Sequence, residues 1–173
     1  DHSTHIQFID EEIPVYLGAT ALRMLESWET TSTQVDFGDH DYRTFRTGSK
    51  IKIDDLLVEP VHVDHSTPSA YGFIIYASNA TIAYTGDFRL HGPHARMTHD
   101  FIERVAGARP DVLICEGTRV APVDKRENLS EQKVYERCHG LISNCDKLAL
   151  TCFYGRDIDR MKTYHALAKE CDR

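Results

Sequence analysis

His65 and Asp87 stand at the two outer ends of one stretch, and both side chains are of types that bind metal ions. Between them, Phe73 to Tyr76 and Thr81 to Phe88 form two apolar, aromatic-rich runs around a Ser78-Asn79 turn. That is the pattern of a β-hairpin, and an antiparallel pair returns its outer ends to one rim. An imidazole and a carboxylate meeting there suit a cation such as zinc, which accepts nitrogen and oxygen ligands. The chain opens on a second such couple, Asp1-His2, and Glu116 follows Val112 to Cys115 at the tip of a predicted strand.

Other histidines read as bystanders. His62 and His65 are three apart on an extended segment and face opposite sides, so His62 is a packed or solvated strand residue. His91, His94 and His99 belong to a loop surface, His5 is a weak addition to His2, and Asp39-His40-Asp41 reads as a hairpin turn.

The elements that must position these groups follow from periodicity and punctuation. Ile13 to Leu17 is a short strand, and Leu22, Leu25 and Trp28 give a helix its core face. Val35 to Asp39 and Tyr42 to Thr47 read as strands, and after Lys50 to Ile53 comes the strand Leu57 to Asp64. Thr98 is placed to cap a helix carrying Phe101, Ile102 and Val105, and Val112 to Cys115 is a buried strand. Ser130 caps a further helix, Leu148 to Phe153 is a strand, and Gly155 leads into a last helix through Ile158, Met161 and Leu167. The sum is an α/β sandwich followed by the opening of a second α/β unit.

Composition is that of an ordinary globular protein, 41% hydrophobic and 27% charged, with no run long enough to span a bilayer. Five cysteines without a C-x-x-C pair argue against a disulfide framework or zinc knuckle and for reduced, mostly buried thiols in the cytoplasm. The net charge of −7 is unevenly spread. Residues 1–118 hold 9 basic against 18 acidic side chains, and residues 119–173 hold 11 against 9. In the second part, Phe153 to Arg160 sets a strand end against a helix N-terminus, a junction suited to phosphate. Arg156 and Arg160 lie one turn apart to track a backbone, and Tyr154 or Phe153 is available for stacking; a solvated helix with Asp–Arg pairs is the alternative.

Asp1-His2, His65-Ser66-Thr67-Pro68 and Tyr84-Thr85-Gly86-Asp87-Phe88 together resemble motifs of the metallo-β-lactamase superfamily, and more closely its β-CASP nuclease branch. The resemblance implies a partial αββα metallo-β-lactamase domain over residues 1–128 and the start of a β-CASP domain over 129–173. It implies a truncated piece of a longer protein, whose second motif would begin upstream with His-x-His. It also implies two zinc ions, with His65 on the first, His2 on the second and Asp87 bridging. Asp1 then either ligates the second ion or orients the nucleophilic water, and Glu116 supports a histidine acid from further along the chain.

The implied activity is hydrolysis of a phosphodiester in single-stranded RNA by a metal-activated hydroxide, with DNA as an alternative substrate and a homodimer as a compatible assembly. Residues 1–173 alone are expected to be inactive. Two other readings stand beside it: a small-substrate hydrolase of thioesters or lactones on the same fold, and a catalytically degenerate RNA-binding subunit.

Overall fold

The expected hairpin is the centre of the main sheet. In a computed structural model describing residues 2–120, 123 and 125–173, β5 (Tyr71–Tyr76) and β6 (Thr81–Tyr84) pair antiparallel, with Phe73 opposite Tyr84. The Ala77 N–H donates to the Ala80 carbonyl at 2.9 Å and closes the Ser78-Asn79 turn. On the other flank β4 (Leu56–His62) pairs antiparallel with β5, and β3 (Ile51–Ile53) with β4. β7 (Val112–Ile114) runs parallel to β6, completing the order β3-β4-β5-β6-β7.

A parallel neighbour requires a crossover, supplied by helix α2 (Ala95–Ala108). Phe101 of α2 packs with Val61 and Val63, bordered by Ala70, Phe88 and Val105. Gly72 permits this approach, since a Cβ there would stand 2.4 Å from the Phe101 ring. A second, two-stranded parallel sheet joins β1 (Val15–Gly18) and β2 (Tyr42–Phe45) through helix α1 (Ala19–Thr31). Trp28 of α1 meets buried Phe37 edge-on at 5.5 Å.

Helices α3 (Glu131–Ser143) and α4 (Ile158–Glu170) follow. The Ser130 hydroxyl accepts from Lys133 N–H at 3.3 Å, and the Asp157 carboxylate accepts from Arg160 N–H at 3.0 Å, so each helix has a side-chain N-cap. The result is an α/β fold with a mixed sheet flanked by helices. Among the described residues no helix is long and apolar enough to cross a membrane.

Several expectations are corrected. Residues 35–39 are not a strand: the Asp36 carboxylate accepts from Gly38 N–H, Gly38 has a φ of +77°, and Phe37 turns inward beneath Trp28. Because β1 and β2 run parallel, Asp39-His40-Asp41 is no hairpin turn; His40 is buried edge-on against Tyr42. Thr98 lies inside α2 rather than capping it. Residues 148–153 form no strand, for among the described residues no ladder partner lies beside them, and Leu148 and Leu150 face solvent. β7 is an edge strand with Val112, Leu113 and Ile114 exposed, and Cys115 after it is exposed too, as is Cys152.

Candidate functional site

Strands β4, β6 and β7 point the same way, so the loops leaving their C-terminal ends share one edge of the sheet. His65 leaves β4, Asp87 leaves β6 and Glu116 leaves β7. Gly86 turns the chain into Asp87 with a φ of +56°, and a Cβ there would lie 2.5 Å from the Tyr71 carbonyl oxygen. Only glycine meets both demands without strain.

The carboxylate of Asp87 is met by the imidazole of His2, with Nε2 2.8 Å from Oδ2. His65 is half-buried on the wall of the cavity that His2 and Asp87 also line. Burial lowers its pKa from the ordinary histidine value, outweighing the opposite pull of the Asp87 charge, so the ring is neutral at neutral pH. Glu116 does not face the cavity freely. Its Oε1 accepts from Phe88 N–H at 3.0 Å and its Oε2 from Thr118 N–H at 3.2 Å. Burial pushes this carboxyl up, but the hydrogen bonds from Thr118 and Phe88 prevail and hold its pKa below the usual range. Glu116 is thereby an ionised strap across the base of the Asp87 loop. Asp1 lies outside the described residues.

The cavity, about 500 Å³, opens between this rim and the β1–α1 unit, with Val15, Leu17 and Met24 on its apolar wall. Arg156 also lines it. The Arg156 guanidinium lies 3.8 Å from the centroid of the Trp28 ring and 5.7 Å from that of Tyr154. A guanidinium stacks on an aromatic face by cation–π attraction, and its planar fork is the side-chain shape that matches phosphate oxygens. Arg160 is differently placed: it forks onto Glu131, with Nη2 to Oε1 at 2.9 Å and Nε to Oε2 at 3.1 Å, and the pairing raises its pKa further.

Two residues were invisible as a pair in the sequence. Asp64, directly before His65, is almost wholly buried and accepts from Arg89 Nε at 2.9 Å. Arg89 lies two residues after Asp87. An acid directly after the two core valines Val61 and Val63 was the available signal, since a carboxylate buried at the end of a core strand requires a partner.

The donor chemistry of His2, His65 and Asp87 fits zinc, an ion held by histidine nitrogen and carboxylate oxygen. Among the described residues, however, no group of three or more His, Cys, Asp or Glu side chains is assembled closely enough to hold a metal. What the structure brings together is a contacting pair, with a neutral imidazole on the same cavity wall.

The β-lactamase superfamily domain matches residues 1–141. Ribonuclease J from two strains of Mycobacterium tuberculosis, CDC 1551 and H37Rv, is 29% identical over 108 residues, covering 58% of this chain. The chain spans 18% of the length of those relatives. A crystal structure of a protein of unknown function from Enterococcus faecalis V583 superposes with a TM-score of 0.72 at 20% identity, over 95% of this chain and 41% of that one. That likeness is one of fold.

Proposed function

The chain belongs to the β-lactamase superfamily, and from that premise we infer that it carries the hydrolytic rim of a zinc-dependent, β-CASP-type nuclease acting on single-stranded RNA. One observation carries the reading: His2, His65 and Asp87 line the same cavity as Arg156. A carboxylate–imidazole pair thus shares a cavity with a guanidinium, a cation whose planar fork matches phosphate. The relatives named ribonuclease J support RNA as the substrate. Residues 129–173 are read as the opening of the β-CASP unit.

Asp87, His2 and His65 would hold the metal, two zinc ions in this reading, with Asp1 as the further donor. Bound there, the cations would supply Lewis acidity, lowering the pKa of water and offsetting charge that gathers on a phosphate. The chain's own residues do the rest. His65, with its pKa lowered by burial, would give the metal a ring nitrogen; its Nδ1 accepts from Thr67 N–H at 3.4 Å, a long bond that metal binding would replace or, through the other tautomer, leave aside. Glu116, through Phe88 N–H, fixes the backbone next to Asp87. Arg156 binds a phosphate oxygen of the substrate and sets the scissile bond toward the rim.

The test is cleavage of single-stranded RNA by the intact protein, with zinc and after chelation, alongside the Asp87→Ala variant. Metal-dependent cleavage lost in that variant is the expected result; full activity in Asp87→Ala would end the metal role. A second reading, hydrolysis of a small thioester or lactone, is favoured by the apolar wall of Val15, Leu17 and Met24. Turnover of a thioester set against that of a phosphodiester decides between them.

A further inference from the structure

The buried pair Asp64–Arg89 has a third member. Arg89 Nη2 donates to Asp159 Oδ2 at 2.6 Å, while its Nε serves Asp64. The Arg89 side chain is 9% exposed and that of Asp64 is 1% exposed, so this is an interior chain of charges. Asp159 stands in the first turn of α4, three residues after Arg156. The charge of Glu131 on α3 reaches Arg89 as well.

The Asp64 end of the chain is tied to the backbone on either side of it. Asp64 Oδ2 accepts from His94 N–H at 3.0 Å, and the Asp64 carbonyl accepts from Arg89 N–H at 2.7 Å. The hydroxyl of fully buried Thr98 accepts from Asp64 N–H and donates to the Arg89 carbonyl. Gly92 leaves room for the clasp, since a Cβ there would fall 2.0 Å from Arg89 Nε and 2.4 Å from Asp64 Oδ2. Arg89 therefore ties the segment ending in His65 to the one beginning at Asp87, and holds the N-terminus of α4 against both.

We propose that Arg89 is a positioning residue that registers the α4 N-terminus, and with it Arg156, against the His65–Asp87 rim. A guanidinium suits this task because its planar fork serves two carboxylates in fixed directions, which an ammonium does not. Side-chain burial matters equally: with little water to compete, a rotation of α4 that separates Arg89 from Asp159 leaves charges uncompensated. Small displacements of α4 are thereby resisted at the point where Arg156 meets Trp28. The role of Arg156 toward substrate rests on the function proposed above; the clamp does not.

The experiment is hydrogen–deuterium exchange on residues 1–173 of the wild type, Asp159→Asn and Arg89→Lys. Asp159→Asn leaves the Asp64–Arg89 pair intact, and Arg89→Lys leaves α4 untouched in sequence. Both variants are expected to exchange at least about tenfold faster through residues 153–170, with β5 unchanged. Emission of Trp28, the single tryptophan, is expected to move toward that of Arg156→Ala in both. In the intact protein Asp159→Asn is expected to raise KM for a ten-nucleotide oligouridylate more than it lowers kcat. Unchanged exchange in 153–170, or acceleration spread evenly through β4, β5 and β6, would overturn the clamp. So would Trp28 emission that Arg156→Ala moves and Asp159→Asn does not. Selective exchange in a protein that never cleaves RNA keeps the clamp and discards the nuclease; cleavage with unaltered exchange does the reverse.

Discussion

His2 Nε2 and Asp87 Oδ2 lie 2.8 Å apart although 85 positions separate the two residues in the chain. The 3₁₀ turn of Ser3–Phe8 begins directly after His2, and Gly86 aims Asp87 outward from the sheet edge to meet it. Replacing Asp87 by Ala removes the oxygen half of this couple. Zinc content, measured by elemental analysis after dialysis, is expected to fall, and RNA cleavage by the intact protein to drop more than about a hundredfold.

Gly86→Ala tests the turn rather than the ligand. A φ of +56° with a backbone oxygen 2.5 Å from the new Cβ gives alanine no relaxed position. A loss of about 1–3 kcal/mol in urea unfolding is expected. Metal affinity should fall with it, because Asp87 then leaves β6 at a different angle.

Thr98→Val keeps the shape of a buried side chain and deletes its hydroxyl. The Asp64 N–H and the Arg89 carbonyl both lose a partner inside the protein. The expected cost is about 1–3 kcal/mol in a denaturant titration. Thr163→Val, whose hydroxyl only flanks the Arg160–Glu131 pair at 3.4 Å, should cost clearly less.

Acid should weaken the fold through His62, which stacks on Tyr71 with ring centroids 4.2 Å apart. Burial lowers its pKa below the ordinary value. The unfolded chain therefore takes up a proton more readily, and stability present above about pH 6.5 is lost as pH falls through the folded-state pKa. Urea midpoints at pH 7.5 and 5.5 should show this loss, and His62→Gln should reduce it, leaving the part that His65, lowered by burial in the same direction, contributes.

The hairpin, with His65 before it and Asp87 after it on one edge of the sheet, was legible because it depends on local signals: aromatic-rich strands, a polar turn and a glycine before the acid. The strand tip bearing Glu116 was legible for the same reason, though not its service to Phe88 N–H. Thr98 was misjudged because a hydroxyl ahead of an apolar helix looks like a cap. Its true partners, Asp64 and Arg89, lie on other segments. Residues 148–153 have the composition of a strand, but strand formation depends on a neighbouring ladder that composition does not encode. The Trp28–Arg156 stack escaped notice because 128 positions separate its members.

The Ser78-Asn79 turn closes the hairpin at the end opposite Asp87, and both of its residues are exposed. A short peptide tag spliced between them would sit a full strand's length from the rim and disturb neither the His65 and Asp87 loops nor Arg89. The molecule thus has a natural handle for surface immobilisation, on which the cation uptake and RNA capture proposed above can be tested on one and the same tethered sample.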